Sequence, residues 1–387
     1  MKAWVLRKQA AVDATPLALE EIETPKPRDG EAFIKVLACG VCLTDLHIIE
    51  GDLPLHKAPV IPGHQIVGAI YPLPVRQDLR VGNPGSLEGL GTTPELSPPP
   101  QGGRKDLRSA SPEPQTRNSL VGVPWLSATC PPDNLCKFCA QGQENLCERA
   151  TFTGYDRDGG YAEFAAAPAD SVYPIPAGLD PIEAAPLLCS GVIGYRALRL
   201  ATELHQRRGP GPRPTDRRAS GEFRVGLYGF GSSAHLVLRI ARHFGYEMFV
   251  FSRSEAHRKL ARTLGAAWAG PADDTPPAKL DVAILFAPVG ALVPVALAHL
   301  DRGGTLALAG IHMSPTPPIE YSLLYHERTI RSVANSSRQD IRDTLRLAAE
   351  IPLKPEVEVF DYKDAPKALT TLKRGAIAGS AVLKMPG

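Results

Sequence analysis

Nine residues near the N-terminus, Cys39 to His47 (C-G-V-C-L-T-D-L-H), crowd two thiols, a hydroxyl, a carboxylate and an imidazole together. Seventeen residues on, Gly63-His64-Gln65 adds a second imidazole behind a glycine. Thiolate and imidazole are zinc ligands, and Cys42 with His64 reads as the start of a zinc site. Two ligands are too few, because a catalytic zinc takes three protein groups and leaves a position open. Cys189, in Leu187-Leu188-Cys189-Ser190-Gly191, is the natural third. Taken alone, a cysteine among apolar neighbours equally well fills a core.

A second group of thiols, Cys130, Cys136, Cys139 and Cys147, lies within eighteen positions. Four sulfurs with no vacancy are what a closed structural zinc site needs, the alternative being free buried cysteines. Seven cysteines in all, an odd number and unevenly placed, point to metal binding in a reducing compartment and away from a disulfide framework.

Gly229-Phe230-Gly231-Ser232-Ser233-Ala234 follows a predicted strand and opens a predicted helix. In a G-x-G-x-x-A turn the first glycine makes the bend and the second lets the backbone approach a pyrophosphate. The small third residue, Ala234, allows close strand–helix packing, and the free N–H groups of the helix start face the phosphates. The next strand ends Phe251-Ser252-Arg253, with no carboxylate for a ribose 2′-hydroxyl. Ser252 and Arg253, with Arg258 nearby, tilt the reading from NAD towards NADP.

The elements that must position these residues follow a clear rhythm. From Phe223 onward, strands at 225–228, 248–252, 281–286 and 305–310 alternate with helices at 233–244 and 255–265, the βαβ pattern of a doubly wound parallel sheet. Residues 1–70 read as short strands and turns, with a strand over 31–38. Residues 153–164 read as strand around a Gly159-Gly160 turn, and Glu183–Leu200 as one helix. Residues 71–120 carry nine prolines and six glycines, too many for a packed core, and read as a disordered or irregular insertion. His205–Glu222, with five arginines and three prolines, reads as a solvated loop.

A net charge of +2 gives no electrostatic reason for a nucleic-acid or anionic-membrane partner. Only Lys137 and Arg149 supply positive charge around the cysteine lobe, far from a nucleic-acid-binding stripe. No stretch approaches the ~18 apolar residues of a membrane span, and the N-terminus carries no signal-peptide pattern. The expectation is a cytoplasmic protein.

Together, the Cys39–His47 run, Gly63-His64, the cysteine lobe, Asp158-Gly159-Gly160-Tyr161-Ala162-Glu163, Leu188-Cys189 and the glycine turn resemble the zinc-dependent alcohol dehydrogenases of the medium-chain superfamily. The resemblance implies an α/β architecture in which a GroES-like β-rich catalytic domain (1–189) flanks a Rossmann domain (190–335). Residues 336–387 would return to the catalytic domain. It implies two zinc ions per chain, NADP or NAD, a small alcohol or aldehyde substrate, and a homodimer or homotetramer. Cys42, His64 and Cys189 would hold the catalytic zinc, and Cys130, Cys136, Cys139 and Cys147 the structural one. Asp45 would orient His64. An alcohol would lose its proton through the Thr44 hydroxyl and the cofactor ribose to His47, and its hydride to the nicotinamide.

The chain departs from the family at four places. Gln65 replaces a glutamate beside the zinc histidine, and Leu43 replaces an arginine that can pair with cofactor phosphate. Five residues instead of two separate the first two lobe cysteines, so either Cys130 reaches through a longer loop or Asp133 takes its place. The proline-rich segment also stands where a Gly-Asp-Arg-Val strand is usual. Two other functions stay open: a nucleotide-binding relative whose insertion has damaged the active site, and a zinc-independent quinone reductase, which would not need Cys42, His64 and Cys189 together.

Overall fold

The computed structural model describes residues 1–71, 120–207, 223–351 and 353–386. The proline-rich insertion and most of the arginine-rich patch fall outside them.

The βαβ rhythm of the second half resolves into six parallel strands. Their order is Trp268–Gly270, Glu247–Phe251, Arg224–Tyr228, Leu280–Leu285, Leu300–Leu308 and Thr329–Ser332. The central strands are apolar almost throughout, because helices cover both faces of a parallel sheet. The order reverses between Arg224–Tyr228 and Leu280–Leu285, and a crevice opens beyond the strand ends at such a switch point.

Among the described residues a second large sheet has seven strands and is antiparallel except for one pair. The strands Val357–Asp361, Ser380–Lys384, Glu31–Val41, Ile66–Ile70, Leu120–Val123 and Tyr173–Pro174 lie side by side, and Phe164–Pro168 pairs with the early half of Glu31–Val41. The C-terminal strand therefore sits against the long strand that leads into Cys42. The expected GroES-like and Rossmann layers are both present. Leu120–Val123 pairs directly with Ile66–Ile70, so this wall of the first sheet is closed among the described residues.

Two local expectations are corrected. Glu183–Leu200 is not one helix: Asp180 caps a short helix at Pro181–Ala184, a 3₁₀ turn follows over Ala185–Leu188, and a new helix runs Ser190–Arg207. Pro186 lacks the N–H that a continuous helix would use and its ring crowds the preceding turn, which leaves Cys189 in a non-helical conformation at the break. Nor do Gly159 and Gly160 form a hairpin turn. They lie against the 61–63 backbone, with Gly159 N–H donating to Ile61 O (2.7 Å) and Gly160 N–H to Gly63 O (2.8 Å). A Cβ on Gly159 would stand 2.1 Å from Gly63 O, so the position requires glycine for close approach.

Candidate active site

Strand Glu31–Val41 ends at Cys42, which caps the helix Leu43–Glu50. The Cys42 thiol accepts from Thr44 N–H (3.3 Å), while Asp45 Oδ2 reaches back to accept from Cys42 N–H (3.0 Å). This is a capping box built from a cysteine and an aspartate. Asp45 Oδ1 also accepts from His64 Nδ1 (2.9 Å) and from Gly63 N–H (3.2 Å). A carboxylate at Nδ1 fixes the tautomer and turns Nε2 toward Cys42 Sγ, 3.3 Å away.

Cys189, at the helix break, completes the group: the donor atoms of Cys42, His64 and Cys189 all lie within 4.8 Å of one another. A hydrogen bond from Cys189, helped by His64 and opposed by burial, holds the Cys42 thiol well below its ordinary range. The same bond, with burial, pushes Cys189 well above it. Burial works to lower His64, yet the charges of Asp45 and Cys42 outweigh it and raise the imidazole to about 10. Two soft sulfurs and one nitrogen, already converging and facing a cavity on the remaining side, fit a four-coordinate zinc with one open position.

That cavity measures about 740 Å³ and is lined by Cys42, Thr44, His47 and Cys189 at one end and by Gly229–Ala234 at the other. Trp125 meets His64 edge-on at 5.0 Å and stacks on Phe152 at 4.9 Å, giving the metal end an apolar aromatic wall. Gly229 takes φ +89° beside Ala287, while a Cβ on Gly231 would meet nothing within 4 Å. The backbone at Gly231 thus faces open space at the start of helix Ser232–His243, which fits an approaching pyrophosphate. Ser232 donates to Ser190 Oγ and shares a hydrogen with Ser380 Oγ, both at 2.6 Å, tying this turn to the Cys189 helix and to the C-terminal strand.

At the end of the second strand Ser252 is buried and Arg253 exposed. Arg258 is already engaged with Glu255 (2.9 Å) and with Ser252 O (2.7 Å). In the distal lobe, Cys130, Cys136, Cys139 and Cys147 converge within 4.8 Å. Cys130 does reach through its longer loop; Asp133 is exposed and outside the group. Burial works to raise Cys130, but the Cys136 N–H and the neighbouring thiols bring it down to about 6, whereas burial foremost sends Cys139 to about 12. Four converging thiols with no vacancy fit a closed tetrahedral zinc.

Over 99% of its length the chain is 43% identical to the probable alcohol dehydrogenase AdhA of Mycobacterium tuberculosis, covering 97% of that protein. The chain belongs to the zinc-dependent alcohol dehydrogenase family. An alcohol dehydrogenase of Geobacillus stearothermophilus is 33% identical over 98% of this chain and 99% of its own. Residues 28–84 and 118–177 match the alcohol dehydrogenase GroES-like domain, and 234–350 the zinc-binding dehydrogenase family. The GroES-like match takes in Asp78-Leu79-Arg80-Val81 and leaves 85–117 unmatched.

The acetophenone reductase of Geotrichum candidum, solved in complex with NAD, shares the fold with a TM-score of 0.76 at 22% identity. It covers 99% of the dehydrogenase and 96% of its own chain. A Helicobacter pylori structure complexed with NADP(H) does so with a TM-score of 0.74 at 19% identity, covering 99% of each chain.

Two departures acquire a place in this dehydrogenase. Gln65 is buried beside His64, and its amide packs so closely on Gly40 that a Cβ there would stand 2.6 Å from Oε1. Leu43 lines the cavity as a half-exposed apolar residue. Sequence reading missed Asp52, whose Oδ2 lies 2.7 Å from His47 Nδ1. Its only sequence signal was the Gly51-Asp52 pair shortly after His47. The serine trio was also missed, since its members are separated by up to 190 residues.

Proposed function

We propose that the chain interconverts alcohols and their aldehydes or ketones with NADP, with two zinc ions per chain. Cys42, His64 and Cys189 would hold one ion, and Cys130, Cys136, Cys139 and Cys147 the other. The observation that carries the reading is one cavity lined by Cys42 and Cys189 of the first donor set and by the Gly229–Ala234 turn, so that substrate oxygen and cofactor have a common chamber. Ser252 in place of a carboxylate, with Arg253 exposed beside it, supports NADP.

When bound, the zinc would supply Lewis acidity at the substrate oxygen and the nicotinamide would accept or return hydride. The chain's own residues do the rest. Thr44, whose N–H is held by the Cys42 thiol, presents a hydroxyl to the cavity as the first proton carrier. His47, three residues on and also at the cavity, takes the proton as the base. Asp45 keeps His64 in register without touching substrate. Trp125, Phe152 and Tyr155 exclude water and favour an apolar substrate body.

We further propose domains at 1–189 and 190–335 with a return over 336–387, and self-association as a homodimer or homotetramer in the cytoplasm. Seven free cysteines support the reducing compartment. Strand Thr329–Ser332 at the outer edge of the parallel sheet, with exposed Tyr321 and Tyr325 before it, supports self-association. No helix among the described residues is long and apolar enough to cross a membrane.

The test is NADPH and NADH oxidation by purified protein with a panel of aldehydes, before and after complete zinc removal. NADPH-dependent turnover lost on chelation and restored by zinc is expected. Turnover indifferent to zinc, or absent with every aldehyde, refutes the reading.

A further inference from the structure

We infer that Asp52 is a positioning residue for His47, fixing its tautomer and stabilising its protonated form. The inference rests on His47 being the proton acceptor.

The geometry begins with the helix end. His47 lies in the last turn of Leu43–Glu50, and Gly51 terminates it at φ +99°. The N–H groups of Gly51 (3.1 Å) and Leu53 (3.2 Å) both donate to His47 O, closing a tight C-terminal turn. Gln9, from a different part of the chain, clamps that turn by donating to Ile48 O (2.6 Å) and Leu53 O (2.7 Å). Asp52 is thereby folded back onto the imidazole, with Oδ2 2.7 Å from Nδ1. The arrangement is held by groups outside the pair, so it does not depend on mutual attraction alone.

A carboxylate can only accept, so Nδ1 must carry a hydrogen and Nε2 is left bare. His47 lines the cavity, and Nε2 is therefore the atom that takes the proton arriving from the substrate. Once protonated, the ring is a cation facing an anion. His47 is 12% exposed and Asp52 46%, so the pair spans the boundary between cavity and water. The proton taken up at Nε2 is later released from Nε2 to water, so that Nδ1–H keeps its bond to Asp52 and the base returns to its starting tautomer.

Other ionisable groups do not take over this role. His312, from the loop after Leu300–Leu308, stands with its ring 5.5 Å from that of His47, and a positive charge there would oppose one on His47. Glu50, on the same helix, is committed to Val12 N–H (2.8 Å) and Lys373 (2.9 Å), and Lys373 also binds Asp13 (3.1 Å).

The experiment compares Asp52→Asn, Asp52→Glu, His47→Gln and the double variant His47→Gln/Asp52→Asn in alcohol oxidation across pH. Asp52→Asn should lower kcat about tenfold at neutral pH and move the inflection of its pH profile down by about one unit, with KM for the alcohol unchanged. Asp52→Glu should restore most of the rate, and the double variant should be no slower than His47→Gln. An unmoved profile in Asp52→Asn, or losses that add in the double variant, overturns the inference while leaving His47 as the base. Normal kcat and pH profile in His47→Gln overturns both.

Discussion

Replacing Asp45 by asparagine tests whether the helix start and the metal site are one structure. The buried carboxylate accepts from Cys42 N–H at 3.0 Å, Gly63 N–H at 3.2 Å and His64 Nδ1 at 2.9 Å. An amide of the same shape has one accepting oxygen. If that oxygen keeps His64 and Gly63, the new NH₂ faces the Cys42 N–H and leaves a buried donor unpaired, costing about 1–3 kcal/mol. The same loss counted as a broken helix cap gives about 0.5–2 kcal/mol, so the two routes agree at roughly 1–2 kcal/mol. The negative charge behind His64 also disappears, and loss of such a partner costs about 10–100-fold in zinc affinity. That is about 1.4–2.7 kcal/mol. The assay is chelator competition on purified protein with zinc counted per chain. Asp45→Asn should release one zinc at 10–100-fold lower chelator while the four-cysteine zinc stays put, which serves as the internal control. Release of both together would signal general unfolding, and wild-type retention of both would refute the role given to Asp45.

Three further perturbations follow from particular contacts. Gly159→Ala puts a Cβ 2.1 Å from Gly63 O and 2.6 Å from Pro62 O, backbone atoms that cannot swing away. The loop carrying His64 should shift, at a cost of about 1–3 kcal/mol or more, with lost zinc and activity measured by metal analysis and turnover. Cys139→Ser should leave about one zinc per chain and lower the midpoint of thermal unfolding, because a closed zinc site contributes its binding energy to folding. Asp340 is buried and accepts from Arg196 (2.6 Å), Arg199 (2.8 Å) and Ser337. Burial works to raise its carboxyl, but these donors outweigh that and hold it below its ordinary 3.8. Its stabilisation is therefore complete above pH 3.8 and lost as pH falls through the lower folded value. Asp340→Asn should cost about 2–3 kcal/mol at pH 7, less than a fully buried pair because Arg199 faces solvent. Urea unfolding should show the gap to wild type closing in acid.

Much of the active site was legible because zinc chemistry restricts residue types. Few side chains other than thiolate and imidazole serve a soft tetrahedral ion, so Cys42, His64 and Cys189 stood out though more than 140 residues separate the first from the last. The glycine turn was legible for a similar reason, since its positions must leave room for a ligand or permit positive φ. The break before Cys189 was not legible, because apolar residues at helical spacing run through it on both sides and only Pro186 hints at the interruption. Gly159-Gly160 carried the right signal with the wrong reading. Glycine pairs serve hairpins and close backbone approaches alike, and only the packing on Gly63 decides between them. Asp340 and its arginines lie over 140 residues apart, and nothing local in either sequence announces the pair.

The residues at the head of helix Leu43–Glu50 serve folding and chemistry with the same atoms. The Cys42 sulfur that accepts from Thr44 N–H is the candidate metal ligand, and the Asp45 carboxylate that completes the capping box also orients His64. At the other end of this two-turn helix, the hydrogen bonds that terminate it aim Asp52 at His47. The helix and its cap thus hold the candidate ligand Cys42 and the candidate proton acceptor His47 at a fixed separation, anchored to the antiparallel sheet through the strand that ends at Val41. An insertion in the sequence after Ile70 can be accommodated without moving either end, since the sheet closes through Ile66–Ile70 and Leu120–Val123 on the other flank of that strand. Activity should be far less sensitive to changes within 85–117 than to any substitution that alters the two ends of this helix.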